Sequence, residues 1–126
     1  NRLAVLIAVI EKRAGIALGG QDVYLNVVSG IRIVEPAVDL GIVLACTSSY
    51  KNISISQDVV AIGEVGLTGE VRAVNMIEKR IKEAEKLGFK KCIIPESNKK
   101  LLKESFKLDI IGVRNINEAI KGLGLR

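Results

Sequence analysis

The side chains that could perform chemistry in this 126-residue chain are serines, lysines and carboxylates, because the sequence contains no histidine. This absence excludes Ser–His–Asp triads, histidine metal ligands and histidine pH switches. Nucleophilic catalysis would need a Ser–Lys pair or Thr–amine chemistry. The candidate pair is Ser48 or Ser49 with Lys79. Both serines come late in a predicted helix, where we expect them to face solvent or cap the helix.

The carboxylates and cysteines of the chain are not spaced as in a typical metal site. Glu35 and Asp39 are four residues apart at a predicted helix start, where they favour the helix dipole, and nothing else supports metal binding there. Cys46 and Cys92 cannot form a zinc site alone, and both lie in apolar stretches. We therefore expect free thiols and a reducing, cytoplasmic setting.

The segment 63–70 (GEVGLTGE) is rich in glycine, the residue that phosphate-binding loops use. It lacks the Lys-Ser/Thr of a P-loop, and the residues after it indicate a strand, whereas a dinucleotide-binding loop leads into a helix. We therefore predict a strand–turn–strand, in which the glycines allow a tight backbone.

Composition narrows the class of protein. Apolar residues make up 48% of the chain and the mean hydropathy is +0.31, which excludes a disordered chain. Aromatic residues make up only 3%, which disfavours binding sites that stack nucleic-acid bases. The longest apolar run, Leu3 to Ile10, is far shorter than the roughly twenty residues of a membrane helix. Residues 1–71 carry a net charge of −2 and residues 72–126 one of +7, so the second half could attract nucleic acid or simply present solvated lysines.

The pattern of apolar residues predicts alternating helices and strands in one α/β domain. We predict a first helix over 1–13 that is buried on most sides, and a helix from Pro36 to about Ser49. Asn75 and Glu78 have the spacing of a capping box for a helix over 76–87, with Glu78/Lys82 and Lys79/Glu83 pairs on its surface. Ser97 is predicted to cap a helix over 98–105, and Asn115 a last helix to Lys121. The predicted strands are 22–28, 31–34, 59–62, 71–74, 91–94 and 108–113. Helices between the later strands imply parallel pairing, whereas the first half is expected to be more antiparallel.

Several short motifs, in the same order along the chain, resemble those of a known protein family. Ile62 to Arg72, Ile77 to Arg80, Leu87 to Lys90 and Ile94-Pro95 resemble the proteolytic domain of Lon. A second set of segments narrows the resemblance to one family within this group: Asn1-Arg2-Leu3, 11–15, 21–26, 30–32 and 35–37. Together they resemble the C-terminal Lon-like domain of the bacterial RadA (Sms) family of DNA repair proteins. The resemblance spans nearly the whole chain.

Two positions depart from the active Lon pattern. The stretch of Lon that carries the serine nucleophile aligns with Val34 to Asp39, which sets Ala37 at the nucleophile's position. The general-base lysine aligns with Glu78. Lys79 is adjacent, but one residue along a helix turns a side chain by about 100°, so it should not substitute. We therefore expect a domain without peptidase activity, and the alternative is an active Ser–Lys peptidase with a displaced dyad.

The resemblance also implies a fold and a parent protein. It implies a mixed sheet with helices packed on it, like the Lon proteolytic domain and domain 2 of ribosomal protein S5, over residues 1–126. The sequence begins at Asn1 and its only methionine is Met76, so we expect it to be a fragment of a longer chain. An N-terminal RecA-like ATPase and a zinc finger, with ATP, Mg²⁺ and zinc, would lie in the missing part. The parent is then expected to be a DNA-dependent ATPase of recombination and branch migration.

The expected partners follow from the same resemblance. They are copies of the chain in a homo-hexameric ring, DNA bound regardless of sequence, and a recombinase; no membrane is expected. We predict Arg2, Lys12, Arg13 and Arg32 as contacts to the DNA backbone, since phosphate contacts need cations but no aromatic side chains. The alternative is that each is an ordinary surface ion-pair partner. A further hypothesis, a small-molecule-binding α/β domain, has no site in the sequence to support it.

Overall fold

The protein is described by a computed structural model that covers residues 2–15 and 35–125, with only the backbone described for Arg2 and Leu3. The predicted strands 22–28 and 31–34 lie outside these residues. The helices are α1 (Arg2–Arg13), α2 (Asp39–Lys51), α3 (Ile77–Lys86), α4 (Glu96–Lys99) and α5 (Ile116–Gly122), with a 3₁₀ turn at Pro36–Val38 before α2. The strands are β1 (Val59–Ala61), β2 (Glu64–Val65), β3 (Val71–Arg72), β4 (Lys91–Pro95) and β5 (Asp109–Val113).

Within the described residues, the main sheet has the strand order β1-β4-β5, and both pairings are parallel. Cys92 is in register with Val60 on one side and with Ile110 on the other. β2 and β3 form an antiparallel hairpin in which Glu64 faces Arg72. The predictions of parallel pairing and of a strand–turn–strand at residues 63–70 are therefore confirmed.

Helices cover both faces of this sheet, and successive side chains of β4 point alternately to the two sides. Ile93 packs in a core with side chains of α1, α2 and α5, among them Leu6, Leu40 and Ile120. Its neighbours in β4, Cys92 and Ile94, point the other way, into a core formed with α3 and the loop before β5. Successive strand residues face opposite sides, so a fully apolar strand is what a sheet covered on both faces requires. The described residues thus form three layers, helix–sheet–helix.

Helix α1 runs from Arg2 to Arg13, and most of its described apolar side chains are at least half-buried. Leu6, Val9 and Ile10 are buried, whereas Ala4 and Ala8 are exposed. The buried residues recur every three or four positions, so one face of the helix packs on the core. Val5 and Ile7 are half-buried, so the exposed part of the helix is the stripe of Ala4 and Ala8 and the charged end at Lys12 and Arg13.

The predicted capping box at the start of α3 is wrong. The helix begins at Ile77, after Met76 in a left-handed conformation (φ 55°), and no side chain caps it. Asn75 Oδ1 instead accepts a hydrogen bond from Arg80 Nη2 at 2.8 Å. Glu78 is bound to a distant loop, as detailed below. Gly88, with φ of 90°, follows the helix end as predicted.

The predicted helix over 98–105 is also wrong. The helix α4 is a single turn that begins at Glu96, and Ser97 does not cap it. Asn98 is 7% exposed, and its side chain bonds both backbone polar groups of Val74. The last helix agrees with its prediction, since Asn115 Oδ1 accepts from Glu118 N at 2.9 Å.

Candidate functional site

Ala37, the residue at the nucleophile position in the resemblance to Lon, lies in the 3₁₀ turn before α2. Its amide donates to Glu35 Oε1 at 3.3 Å, and its carbonyl accepts from Gly63 N at 2.9 Å. The second bond ties the turn to Gly63, just beyond β1. The side chain is 4% exposed and packs in the core that α3 covers. This position therefore offers a buried methyl group, which cannot attack a carbonyl.

Glu78, at the position of the general-base lysine, performs a structural task. Its Oε2 accepts from the backbone amides of Lys103 at 2.9 Å and Glu104 at 3.3 Å. The predicted Glu78/Lys82 pair is not formed, since Lys82 instead contacts Glu104 at 3.0 Å. A carboxylate can accept both amides, whereas a lysine, which has no acceptor, can accept neither. Glu78 thus fastens the loop that follows α4 to the first turn of α3.

The cation close to Ala37 is Arg80, which belongs to the segment Ile77 to Arg80 but has no role assigned by the sequence. Its Nε donates to Asn75 O at 2.8 Å, and its Nη2 lies 3.3 Å from Glu35 Oε1. Glu35 therefore joins the turn at Ala37 to the start of α3 through this arginine. The side chain of Arg80 is 25% exposed, so the fork is partly shielded from water.

A groove of about 480 Å³ lies between α2 and β1 and includes Ala37 and Arg80 in its wall. Its remaining lining consists of apolar residues and one glycine: Val38, Gly41, Ile42, Ala45, Val60, Ala61 and Ile62. Arg80 is the one charged residue among these lining residues, and none of them is a nucleophile or an acid. The groove offers apolar contact and one cation but no groups that could cleave a bond.

The residues of the displaced dyad do not come together in the described structure. The Ser48 hydroxyl donates to the carbonyl of Ile53, beyond the end of α2. Within residues 2–15 and 35–125, no hydrogen bond joins Ser48 or Ser49 to Lys79, and Lys79 is exposed. The prediction that the serines face solvent or cap the helix agrees with this geometry.

The acidic pair at the start of α2 also has structural partners. Asp39 is 1% exposed, and its Oδ2 accepts from Val65 N at 3.0 Å, which joins α2 to β2. Glu35 is bound to Ala37 and Arg80, as above. In the part of the chain that the structure describes, no group of three or more Cys, Asp or Glu residues could hold a metal ion.

The turn between β2 and β3 carries a compact charged network. Glu70 accepts hydrogen bonds from Thr68 and from Arg72, whose Nη2 lies 2.9 Å from its Oε2. The bond from the Thr68 hydroxyl is the largest cause that lowers the pKa of Glu70 to about 2, and the Arg72 bond adds to it. The carboxylate lies over Gly66, where any Cβ would overlap it. Gly66 thus leaves room for the Glu70 carboxylate to lie against the turn.

Two of the four predicted DNA contacts can be located in full. Lys12 and Arg13 are both exposed at the end of α1. The base of the Arg13 stem packs against Gly69, and its carbonyl accepts from Asn117 Nδ2 at 2.8 Å, so the backbone and the start of this side chain are held. Arg2 opens α1, but its side chain is not described, and Arg32 lies outside the described residues.

The two cysteines are free thiols, as predicted. Cys92 is buried in β4, and burial raises its pKa to about 12. Burial also raises the pKa of Cys46. Neither thiol has the lowered pKa of a reactive nucleophile. None of the helices in the described ranges has the length and apolar character to cross a lipid bilayer.

Comparison with known proteins identifies relatives for almost the whole chain. Residues 4–98 match the family described as subunit ChlI of Mg-chelatase. The chain is 48% identical over 121 residues to the DNA repair protein RadA of Bacillus subtilis and 46% identical over 121 residues to that of Halalkalibacterium halodurans. It is 46% identical over 123 residues to the RadA of Aquifex aeolicus. These matches cover 96–98% of the chain but only 26–27% of each relative, so the chain spans about a quarter of their length. The resemblance to RadA is confirmed, whereas the Lon-like fold stays a prediction.

Proposed function

Since this chain belongs to the domain family described as subunit ChlI of Mg-chelatase and is a homologue of the DNA repair protein RadA, we propose that it is a non-catalytic, Lon-protease-like domain of a DNA repair ATPase. Its roles are to support a hexameric ring and to contact DNA. The observation that supports the proposal is that neither residue at the two dyad positions, Ala37 and Glu78, can serve a peptidase. Ala37 presents a buried methyl group, and Glu78 is engaged by two backbone amides.

The first consequence is that the domain does not hydrolyse peptides. Incubation with an unstructured casein and with a serine-reactive fluorophosphonate tests this directly. We expect no cleavage and no specific labelling. Labelling of Ser48 or Ser49 that disappears when that serine is replaced by alanine would contradict the proposal.

The second consequence concerns assembly with copies of the same chain. Rings form through repeated heterologous contacts that close when the rotation per subunit fits. Leu67, at the tip of the β2–β3 hairpin, is 73% exposed and offers an apolar side chain for such a contact. We expect six-fold rings of the full parent chain in light scattering. A monomer at micromolar concentration, with and without nucleotide, would contradict the ring.

The third consequence concerns DNA. The proposed contacts to the DNA backbone are Arg2, Lys12, Arg13 and Arg32, with no dependence on base sequence. The geometry of Arg13 supports its inclusion, because its backbone and the base of its stem are held while the residue remains exposed to a phosphate. Since duplex DNA carries a dense phosphate charge, binding should weaken steeply with added salt.

The remainder of the parent chain supplies the other functions in this proposal. ATP with Mg²⁺ and a zinc finger belong to the part that precedes this domain. The proposed reaction of the parent is ATP-driven processing of recombination intermediates in the cytoplasm, with a recombinase as a further partner. Only the scaffold and the DNA contacts are assigned to the residues of this domain.

A further inference from the structure

Two segments from different parts of the chain are tied side by side on the surface. The amide of Val74 donates to Asn98 Oδ1 at 2.9 Å, and Asn98 Nδ2 donates back to Val74 O at 3.1 Å. A few residues further along each segment, Glu78 accepts from the amides of Lys103 and Glu104. Residues 74–78 and 98–104 are thereby fastened together at both ends.

Between these two ties, each segment exposes a large apolar side chain. Met76 is 59% exposed and Leu101 is 75% exposed. The backbone of Met76 has φ of 55°, a left-handed conformation that non-glycine residues rarely adopt. The hydrogen bonds at both ends hold the two segments that carry these side chains next to each other on the surface. Contiguous exposed apolar side chains with a polar rim are typical of protein interaction sites.

Exposed lysines flank Met76 and Leu101 along the sequence of both segments, and the stem of Lys99 lies over Gly112 of β5, where the Glu96 carboxylate also lies. Lys79, Lys99, Lys100 and Lys103 are all exposed. Within the described ranges, none of these four lysines has a carboxylate within 4.0 Å, although Lys82 nearby is paired with Glu104. Lysines without counter-ions around an apolar centre favour a ligand that brings both aliphatic groups and negative charge. We call Met76, Leu101 and these four lysines the Met76–Leu101 patch.

We infer that the Met76–Leu101 patch binds a segment of another protein in which aliphatic side chains are flanked by Asp or Glu. Such a segment covers Met76 and Leu101 with its apolar side chains and pairs its carboxylates with the lysines. A DNA backbone would engage the lysines but leave the two apolar side chains in water. A second copy of this patch is excluded as the occupant, since a two-fold contact would set lysines against lysines. The inference does not depend on the proposed DNA contacts, which lie on other residues.

The test is a titration of the isotope-labelled protein followed by amide chemical shifts. The probe is a synthetic 20-residue peptide with leucines at helical spacing flanked by glutamates. Its control replaces every Glu by Lys, and a 20-nucleotide single-stranded DNA is titrated separately. We expect saturable shifts of residues 76 and 99–103 with the acidic peptide only.

Substitutions then separate the patch from the rest of the surface. Leu101→Asp, and the double change Lys99→Glu with Lys100→Glu, should each weaken peptide binding at least tenfold. Leu87→Asp is the matched control, because Leu87 is 70% exposed but outside the patch, and it should leave binding unchanged. Binding of the Leu101→Asp variant at the wild-type affinity would overturn the inference. So would equal binding of the basic peptide, shifts of these residues with DNA alone, or no saturable shift at millimolar peptide.

Discussion

Replacement of Glu78, which the resemblance to Lon sets at the lysine position, tests whether this residue has a structural role. One oxygen of Glu78 accepts both backbone amides, from Lys103 at 2.9 Å and Glu104 at 3.3 Å. Glu78→Gln retains a carbonyl oxygen that can accept both bonds and loses only the charge. Glu78→Ala removes the acceptor, and Glu78→Lys replaces it with a side chain that can only donate. The three variants therefore separate loss of charge from loss of the hydrogen bonds.

The expected cost is modest because the site is at the surface. A hydrogen bond to a charged group contributes about 1.5–3 kcal/mol when water cannot replace it, but the two amides here become accessible to water once the carboxylate is gone. We therefore expect Glu78→Ala to lower the free energy of unfolding by about 1 kcal/mol. For Glu78→Gln we expect a loss of no more than about 0.5 kcal/mol. Glu78→Lys should resemble Glu78→Ala or be slightly worse, since it adds a cation beside Lys79 and Arg80.

Urea unfolding at neutral pH measures these differences, and a change of about 1 kcal/mol in a domain of this size shifts the melting temperature by about 4 °C. The Glu78→Lys variant should also remain inactive against casein, because Ala37 still provides no nucleophile. Equal stability of the Gln and Ala variants would show that the two hydrogen bonds contribute nothing. A Glu78→Lys variant more stable than the wild type would refute the structural role.

Three further predictions follow from the packing and the charges. Ile81→Ala, at a fully buried position in α3, should destabilise the protein by about 3 kcal/mol in urea unfolding, whereas Leu87→Ala, with a 70% exposed side chain, should stay within about 0.5 kcal/mol. Asn115→Ala should cost about 1 kcal/mol because it removes the N-cap of α5, and Asn115→Asp, which keeps the acceptor, should restore most of it. The pKa of Glu70 is lowered from 4.5 to about 2 in the folded state, so its carboxylate stabilises the fold fully above pH 4.5 and loses that effect as the pH falls towards 2. The stability difference between the wild type and Glu70→Gln, followed by urea unfolding from pH 7 to 2, should therefore shrink over this window, and a constant difference would contradict the pKa.

Local sequence signals predict those elements whose partners are also local. The apolar residues of β4 and β5 indicate the parallel strands, because only a sheet covered on both faces accepts such runs. Asn115 is recognisable as an N-cap, and its partner Glu118 is three residues away. The glycines of the β2–β3 turn correctly indicate a hairpin, since Gly69 adopts φ of 83° there, a conformation that favours glycine.

Elements that depend on distant partners are not predictable in the same way. Asn75 and Glu78 have capping-box spacing, but both side chains bond other groups. Asn75 accepts from Arg80, and Glu78 accepts from the amides of residues 103 and 104. The same long-range bonds, with those of Asn98 to Val74, hold residues 98–104 in an irregular path where the sequence predicts a helix. At the candidate site, the resemblance predicts that the Ser–Lys dyad is lost. The sequence cannot indicate that Glu35 and Arg80 join the turn at Ala37 to the start of α3. That ion pair spans 45 residues of sequence and exists only in the folded chain.

The most direct test of the proposed function is DNA binding by the full parent chain as a function of salt. Fluorescence anisotropy with a labelled oligonucleotide would compare the wild type with Arg13→Ala and Arg32→Ala, and Lys121→Ala, exposed on α5, is the matched control. We expect each arginine variant to bind more weakly and to lower the slope of log affinity against log salt by about one unit for each phosphate that is no longer neutralised. The control should retain the wild-type affinity and slope. If both arginine variants keep the affinity and slope of the wild type while their rings stay intact, this domain does not hold DNA through these residues.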